Sequence, residues 1–281
     1  VQSSVDVVDQ LFNSPGGKRN STSTTDYYLR QTIREVKKDS SIDVKYKIDS
    51  VKISVQEDTM KVTYSSNRPA DRKDIRFTEY NVIVGQEFGA ILTKFGDILE
   101  MYDLQPMLAQ VMKDLPDSMK TDRYKTIIGQ RLQALLGQYV DMTITHFPDK
   151  PLAKDSSWGN HGETNFPVSQ AVQFPVMMDS KETISRFEDH GGVTLAVLDS
   201  KYTEIPEKTV LEQQGVKASL KDFVSQSSST THIDDASGLV VRRTMSSKQS
   251  YVFTLESAQQ AGKMAQTIQS SQKTLTVDLL E

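Results

Sequence analysis

The stretch Val44-Lys-Tyr-Lys-Ile-Asp-Ser-Val-Lys-Ile-Ser-Val55 decides the reading of the fold. Val44, Tyr46 and Ile48 fall on even positions and Val51, Ile53 and Val55 on odd ones, each set alternating with polar residues. Successive side chains of a β-strand point to opposite faces, so each set lines one face. The change of phase at Asp49-Ser50 predicts a bulge or bend, because otherwise the buried set would turn to solvent. One dry face and one wet face is the pattern of an antiparallel sheet. The composition agrees, with hydrophobic residues making up only 37% of the 281 residues.

Strand patterning continues on both sides of this stretch. Tyr27–Val36 alternates upstream, and Met60–Tyr64 follows a tight connection at Glu57-Asp58-Thr59. Tyr80–Leu92 reads as a further strand, with Gly85-Gln-Glu-Phe-Gly89 as a bulge or bend in it. Phe95–Met101 reads as a turn at Gly96-Asp97 leading into another short strand. Residues 1–25 contain Asn13-Ser-Pro-Gly-Gly-Lys-Arg-Asn-Ser-Thr-Ser-Thr-Thr25 and read as a flexible N-terminal segment.

The middle of the chain changes period. Leu104, Leu108, Val111, Met112 and Leu115 recur at helical spacing, with Pro106 in the first turn. Tyr124, Ile127, Ile128, Arg131, Leu132, Leu135, Leu136 and Tyr139 mark a second helix. A single apolar stripe on each predicts that both lie on a sheet. Strands return at 171–178, 182–188, 192–201, 222–233, 238–246, 249–256 and 273–280, and 257–269 fits a helix or a strand. The turn signals between strands are His190-Gly-Gly192, Asp234-Asp-Ala-Ser-Gly238 and Ser246-Ser-Lys-Gln249. The expectation is an α+β fold. It comprises a mainly antiparallel, curved sheet or half-barrel with two central helices packed on it. Residues 26–281 form one domain with a helical insertion at about 104–138. A doubly wound nucleotide fold is disfavoured, because strands and helices do not alternate.

Several function classes lose support at this level. The net charge is −4, and the basic residues form scattered pairs such as Lys37-Lys38 and Arg242-Arg243. A nucleic-acid binder normally carries a basic stripe. The chain has no cysteine, which excludes disulfides, thiolate metal sites and a cysteine nucleophile. No apolar run is long enough to span a bilayer as a helix. The start at Val1-Gln-Ser-Ser reads as a mature chain from which a leader has been removed.

No sequence motif identifies a catalytic, cofactor or metal site. His146 and His161 bracket Trp158, with Asp149, Asp155 and Glu163 nearby in sequence, so a His/carboxylate metal site has the right residue types. The spacing is generic, and ordinary loop polarity is the simpler reading. There is no HExxH, no G-x-S-x-G and no phosphate-binding glycine loop. The acidic pairs Glu57-Asp58, Glu188-Asp189 and Asp234-Asp235 sit at turn signals, where solvated turns account for them. Met101, Met107, Met112 and Met119 cluster near the helices, and Met177-Met178 lie in a strand. Methionine suits adaptable apolar contacts, although core filling is the simpler explanation.

Phe147-Pro-Asp-Lys-Pro-Leu-Ala-Lys-Asp-Ser-Ser-Trp158 resembles a signature of a bacterial envelope family of unknown function. In that family a Pro-Lys-Pro stretch precedes a Gly-Asp-x-Trp loop. Tyr28-Leu-Arg-Gln31, Phe95-Gly-Asp-Ile98 and Asp235-Ala-Ser-Gly-Leu239 support the resemblance. The chain departs from the signature with Lys154 in place of the glycine and with an added serine before Trp158. The resemblance implies export, as a secreted or lipid-anchored protein, and brings no catalytic residues. Trp158 is expected to be a structural anchor.

The functional expectation is a non-catalytic envelope binding or interaction protein. Its partner would be a lipid or other apolar ligand held between sheet and helices, or an envelope protein. The alternatives are a passive structural or assembly role and a hydrolase with His161 and Asp155 or Glu163 near the Trp158 loop. No cofactor is expected.

Overall fold

A computed structural model describes residues 2–14, 17–57, 59–115, 117–167, 172–213, 216–257 and 264–279. The opening stretch lies in strand β3 (Ile42–Glu57). Its partner, β2 (Gly17–Val36), pairs Tyr28 with Ser50 and Leu29 with Ile48. Asp49 is therefore the extra residue of a bulge. Ile48 and Val51, on either side of the phase change, are both buried on the same face.

The chain runs as a meander before and after its helices. The first part comprises β1 (Gln2–Ser14), β2, β3, β4 (Met60–Ser65), β5 (Glu87–Leu92) and β6 (Ile98–Tyr102). A short helix, α1 (Thr78–Ile83), precedes β5. Then come α2 (Gln105–Asp114) and α3 (Asp122–Thr143). The second part comprises β7 (Ser157–Trp158), β8 (His161–Pro167), β9 (Gln173–His190), β10 (Val193–Pro206), β11 (Val210–Gln213), β12 (Val216–Asp234), β13 (Val240–Ser257) and β14 (Met264–Leu279).

These strands form one 14-stranded sheet along the path β6-β5-β3-β2-β1-β14-β13-β12-β10-β9-β7, with β4, β8 and β11 as side branches. Pairing of β1 with β14 joins the two meanders. The path ends at β6 and β7, and no pairing among the described residues closes it into a barrel. One register row crosses eight strands, through Val51, Tyr27, Ser4, Val277, Arg243, Thr231, Leu198 and Ile184. Directly paired residues share a face, so this row defines the inner face of the sheet.

The helices cover one side of that face. Met107, Leu108, Leu132, Leu136, Tyr139 and Val140 form one core with Tyr27, Leu29, Tyr46, Ile48, Val51, Tyr64 and Phe88. The buried strand residues in this core all belong to β2–β5. Two smaller clusters serve the second meander. Phe166, Phe174, Val176, Leu220, Tyr251 and Phe253 form one, and Ile184, Leu198 and Ile233 the other.

The expected α+β class with two central helices is therefore corrected to a predominantly antiparallel β fold. Only α2 and α3 exceed two turns, and they sit over the β2–β5 side instead of the centre. Helical periodicity located both helices, but strand length was underestimated wherever alternation ran through polar residues. Ser246-Ser-Lys-Gln249, expected as a turn, lies mid-strand in β13, with Ser247 opposite both Ser227 and Lys273. Residues 2–14 and 17–25, expected as a loop, are extended strands paired with β14 and β3. Backbone pairing needs no apolar side chains, so hydrophobic patterning does not reveal such strands. The strand expected at Tyr80–Leu92 begins only at Glu87, after α1 and a turn with Gly85 at φ 82°. Residues 258–263 of the ambiguous 257–269 segment lie outside the described residues.

Candidate functional site

Where α3 ends, one arginine side chain ties the helical block to the second meander through several hydrogen bonds. Arg243, on the inner face of β13, donates from Nη1 to the carbonyls of Asp141 (2.8 Å) and Met142 (3.2 Å). Its Nη2 donates to the Ile144 carbonyl at 2.6 Å and to Thr145 Oγ1 at 3.0 Å, and its Nε to Thr231 Oγ1 at 3.1 Å. The last carbonyls of a helix lack intrahelical donors and carry the negative end of its dipole, so a buried guanidinium satisfies both demands. Burial lowers the Arg243 pKa from its ordinary range, while Tyr202 and Asp141 pull it back up. Arginine stays charged throughout.

Titratable groups gather around this clamp. Burial pushes the Asp141 carboxyl up, opposed by His146 and Arg243. Burial likewise pushes Glu182 up, opposed by hydrogen bonds from Ser180 and Tyr202. Tyr202 is itself raised, first by burial and then by Glu182. These groups sit on adjacent strands because Ser180 pairs with Tyr202 and Glu182 with Ser200 in the β9–β10 register.

Segment 144–158 straps this cluster to both meanders. Its Phe147 N–H donates to the Phe95 carbonyl at 2.9 Å, and His146 Nδ1 lies 3.2 Å from Asp97. Gly96, at φ 93°, is in the left-handed region, and a Cβ there would stand 2.3 Å from the Thr145 carbonyl oxygen. At the far end, the Asp155 N–H donates to Ile184 O and the Ile184 N–H to Ser156 O, at 2.7 and 3.0 Å. Phe147, Leu152 and Trp158 are half-buried on Ile184, Leu198 and Ile233. The Phe147 and Trp158 rings are 6.2 Å apart. Trp158 thus contacts the sheet as a fastening.

Beyond the strap, the inner face of β10, β12 and β13 carries a half-buried polar band. The register lines up Tyr202, Ser227 and Ser247 in one row and Glu204, Ser225 and Gln249 in the next. All six are partly buried, whereas their outward neighbours Lys201, Thr203, Gln226, Ser228, Ser246 and Lys248 are exposed. Ser225 Oγ donates to Glu204 at 2.6 Å. Apolar clusters flank the band at both ends, and no helix contributes to either.

The residues singled out from sequence are dispersed. His146 and His161 have different partners: His161 Nδ1 bonds its cross-strand neighbour Asp179, and neither Asp155 nor Glu163. Among the described residues, no group of three or more His, Asp and Glu side chains is placed to hold a metal ion. Two of the acidic pairs serve turns: Asp189 accepts from the Gly192 N–H, and Asp234 from the Ala236 N–H and the Ser237 hydroxyl, while Asp58 of the third lies outside the described residues. Met107 is buried in the core, with Met101 and Met112 packed against it. Sequence reasoning missed Arg243, Glu182 and Tyr202. Only their position at inward-facing sites of apolar alternation could have marked them.

Fold and site together define an open antiparallel β-meander protein with a helical block strapped across its inner face. The chain belongs to a family of unknown function, DUF6263, whose profile matches residues 39–240. No curated protein matches the chain. Similar solved structures include Pseudomonas aeruginosa OccK7 (OpdD), at 7% identity, 98% coverage of each chain and a TM-score of 0.20. P. aeruginosa OpdK with vanillate gives 5% identity, 98% coverage of each chain and a TM-score of 0.17. Likeness at this level carries no argument. No helix among the described residues is long and apolar enough to cross a membrane.

Proposed function

We propose that this is a non-catalytic binding protein of the bacterial cell envelope, with its ligand on the uncovered inner face of β10, β12 and β13. The observation that carries this reading is the partly buried polar band between two apolar clusters, on a face that the helical core leaves free. A half-buried polar floor with apolar flanks suits an amphipathic small molecule, such as a lipid with a polar headgroup. The site expected between helices and sheet is less favourable, because Tyr46, Phe88, Met107, Leu136 and Val140 fill that layer. The Phe147–Trp158 signature resemblance supports the envelope placement.

Two experiments test the two halves of the proposal. Native mass spectrometry of freshly purified protein is expected to reveal a retained small molecule, and a bare chain mass with no added species would overturn the ligand. Fractionation of cells expressing the full-length gene product is expected to place the protein outside the cytoplasm, and recovery from the cytosol would overturn that placement.

A further inference from the structure

We propose that Arg243 is a releasable latch that holds the end of α3 and residues 144–154 of the strap over the inner face. Releasing it lets this segment lift from the second meander while the rest of the helical block stays docked.

The two sides of α3 are held in different ways. Its apolar stripe is anchored entirely in the first meander, through the core it shares with β2–β5. Among the described residues, no buried residue of β7–β14 belongs to that core. Attachment of the end of α3 and of residues 144–154 to the second meander depends instead on the five hydrogen bonds of Arg243 and on the half-buried Phe147 and Leu152, while beyond them Asp155, Ser156 and β7 stay bonded to β9. Water can replace polar bonds at small net cost once a contact opens, whereas a buried apolar core cannot be wetted so cheaply. Proteins open locally where buried apolar contact is least. Here that boundary falls at the C-terminal end of α3. Opening uncovers Ser200 and Glu182, both buried on the inner face beside the polar band.

Because the chain contains no cysteine, single introduced thiols report opening cleanly. Ser200→Cys would report on the floor beneath the strap, and Leu136→Cys on the core under α3. In an Arg243→Met background, a maleimide reagent is expected to label the Ser200→Cys thiol roughly tenfold faster or more, with labelling of the Leu136→Cys thiol unchanged. Equal acceleration at both positions, or at neither, would overturn the latch. If Arg243→Met fails to fold, the test moves to protein with Arg243 intact, labelled at increasing sub-denaturing urea. A shallower urea dependence for Ser200→Cys than for Leu136→Cys supports a separate local opening, because the slope follows the surface exposed. Identical slopes would refute it.

Discussion

Trp158 sits half-buried on Ile184, Leu198 and Ile233, with its ring against Phe147. Partial burial of so large a ring makes Trp158→Ala cost about 2 kcal/mol, less than a fully buried aromatic. A denaturant titration checks this, and a midpoint equal to the parent's would remove the anchoring role. Glu182 makes a different prediction. Burial holds its carboxyl above the ordinary value of 4.5. The folded state therefore binds this proton more tightly than the unfolded state does. The resulting stability is fully present below the ordinary value and is lost as pH rises through the folded one. Glu182→Gln imitates the protonated form and escapes that loss. The melting temperature of the variant minus that of the parent should therefore grow as pH rises above 4.5 and level off once the folded carboxyl has ionised. A constant difference would show that Glu182 is not buried as described.

Among the elements, α2, α3 and β3 were legible because apolar period alone specifies them. The Asp49 bulge followed from one phase change, and the α3 stripe from Ile128, Leu132, Leu135 and Leu136. Leu136 is fully buried, so Leu136→Ala is expected to cost about 3 kcal/mol in a chemical-denaturation measurement. A loss below about 1 kcal/mol would mean that α3 is only loosely docked. The elements that sequence missed share one physical character. β1, the first half of β2 and the middle of β13 are rich in Ser, Thr, Gln and Asn. Their extended form depends on partners far along the chain. Local pattern carries no record of those partners. Arg243 was hidden for the same reason, since its acceptors lie about a hundred residues away.

At the scale of the whole molecule, two meanders are joined by their terminal strands, and a helical block is rooted in only one of them. This unequal cover leaves the polar band of the second meander free, and the functional account depends on it. Strand content and antiparallel pairing could be read in advance. The sharing of the face could not, because it depends on which strands lie beside β1 and β14. Ser227 stands mid-band, half-buried and outside every apolar cluster, so a bulky residue there should fill the floor without disturbing a core. The most direct test compares parent and Ser227→Trp by native mass spectrometry, with melting curves as the control for folding. The account predicts that the parent retains a small molecule and that the variant, melting within about 2 °C of it, does not. Equal retention by both proteins would contradict the assignment of the ligand to this face.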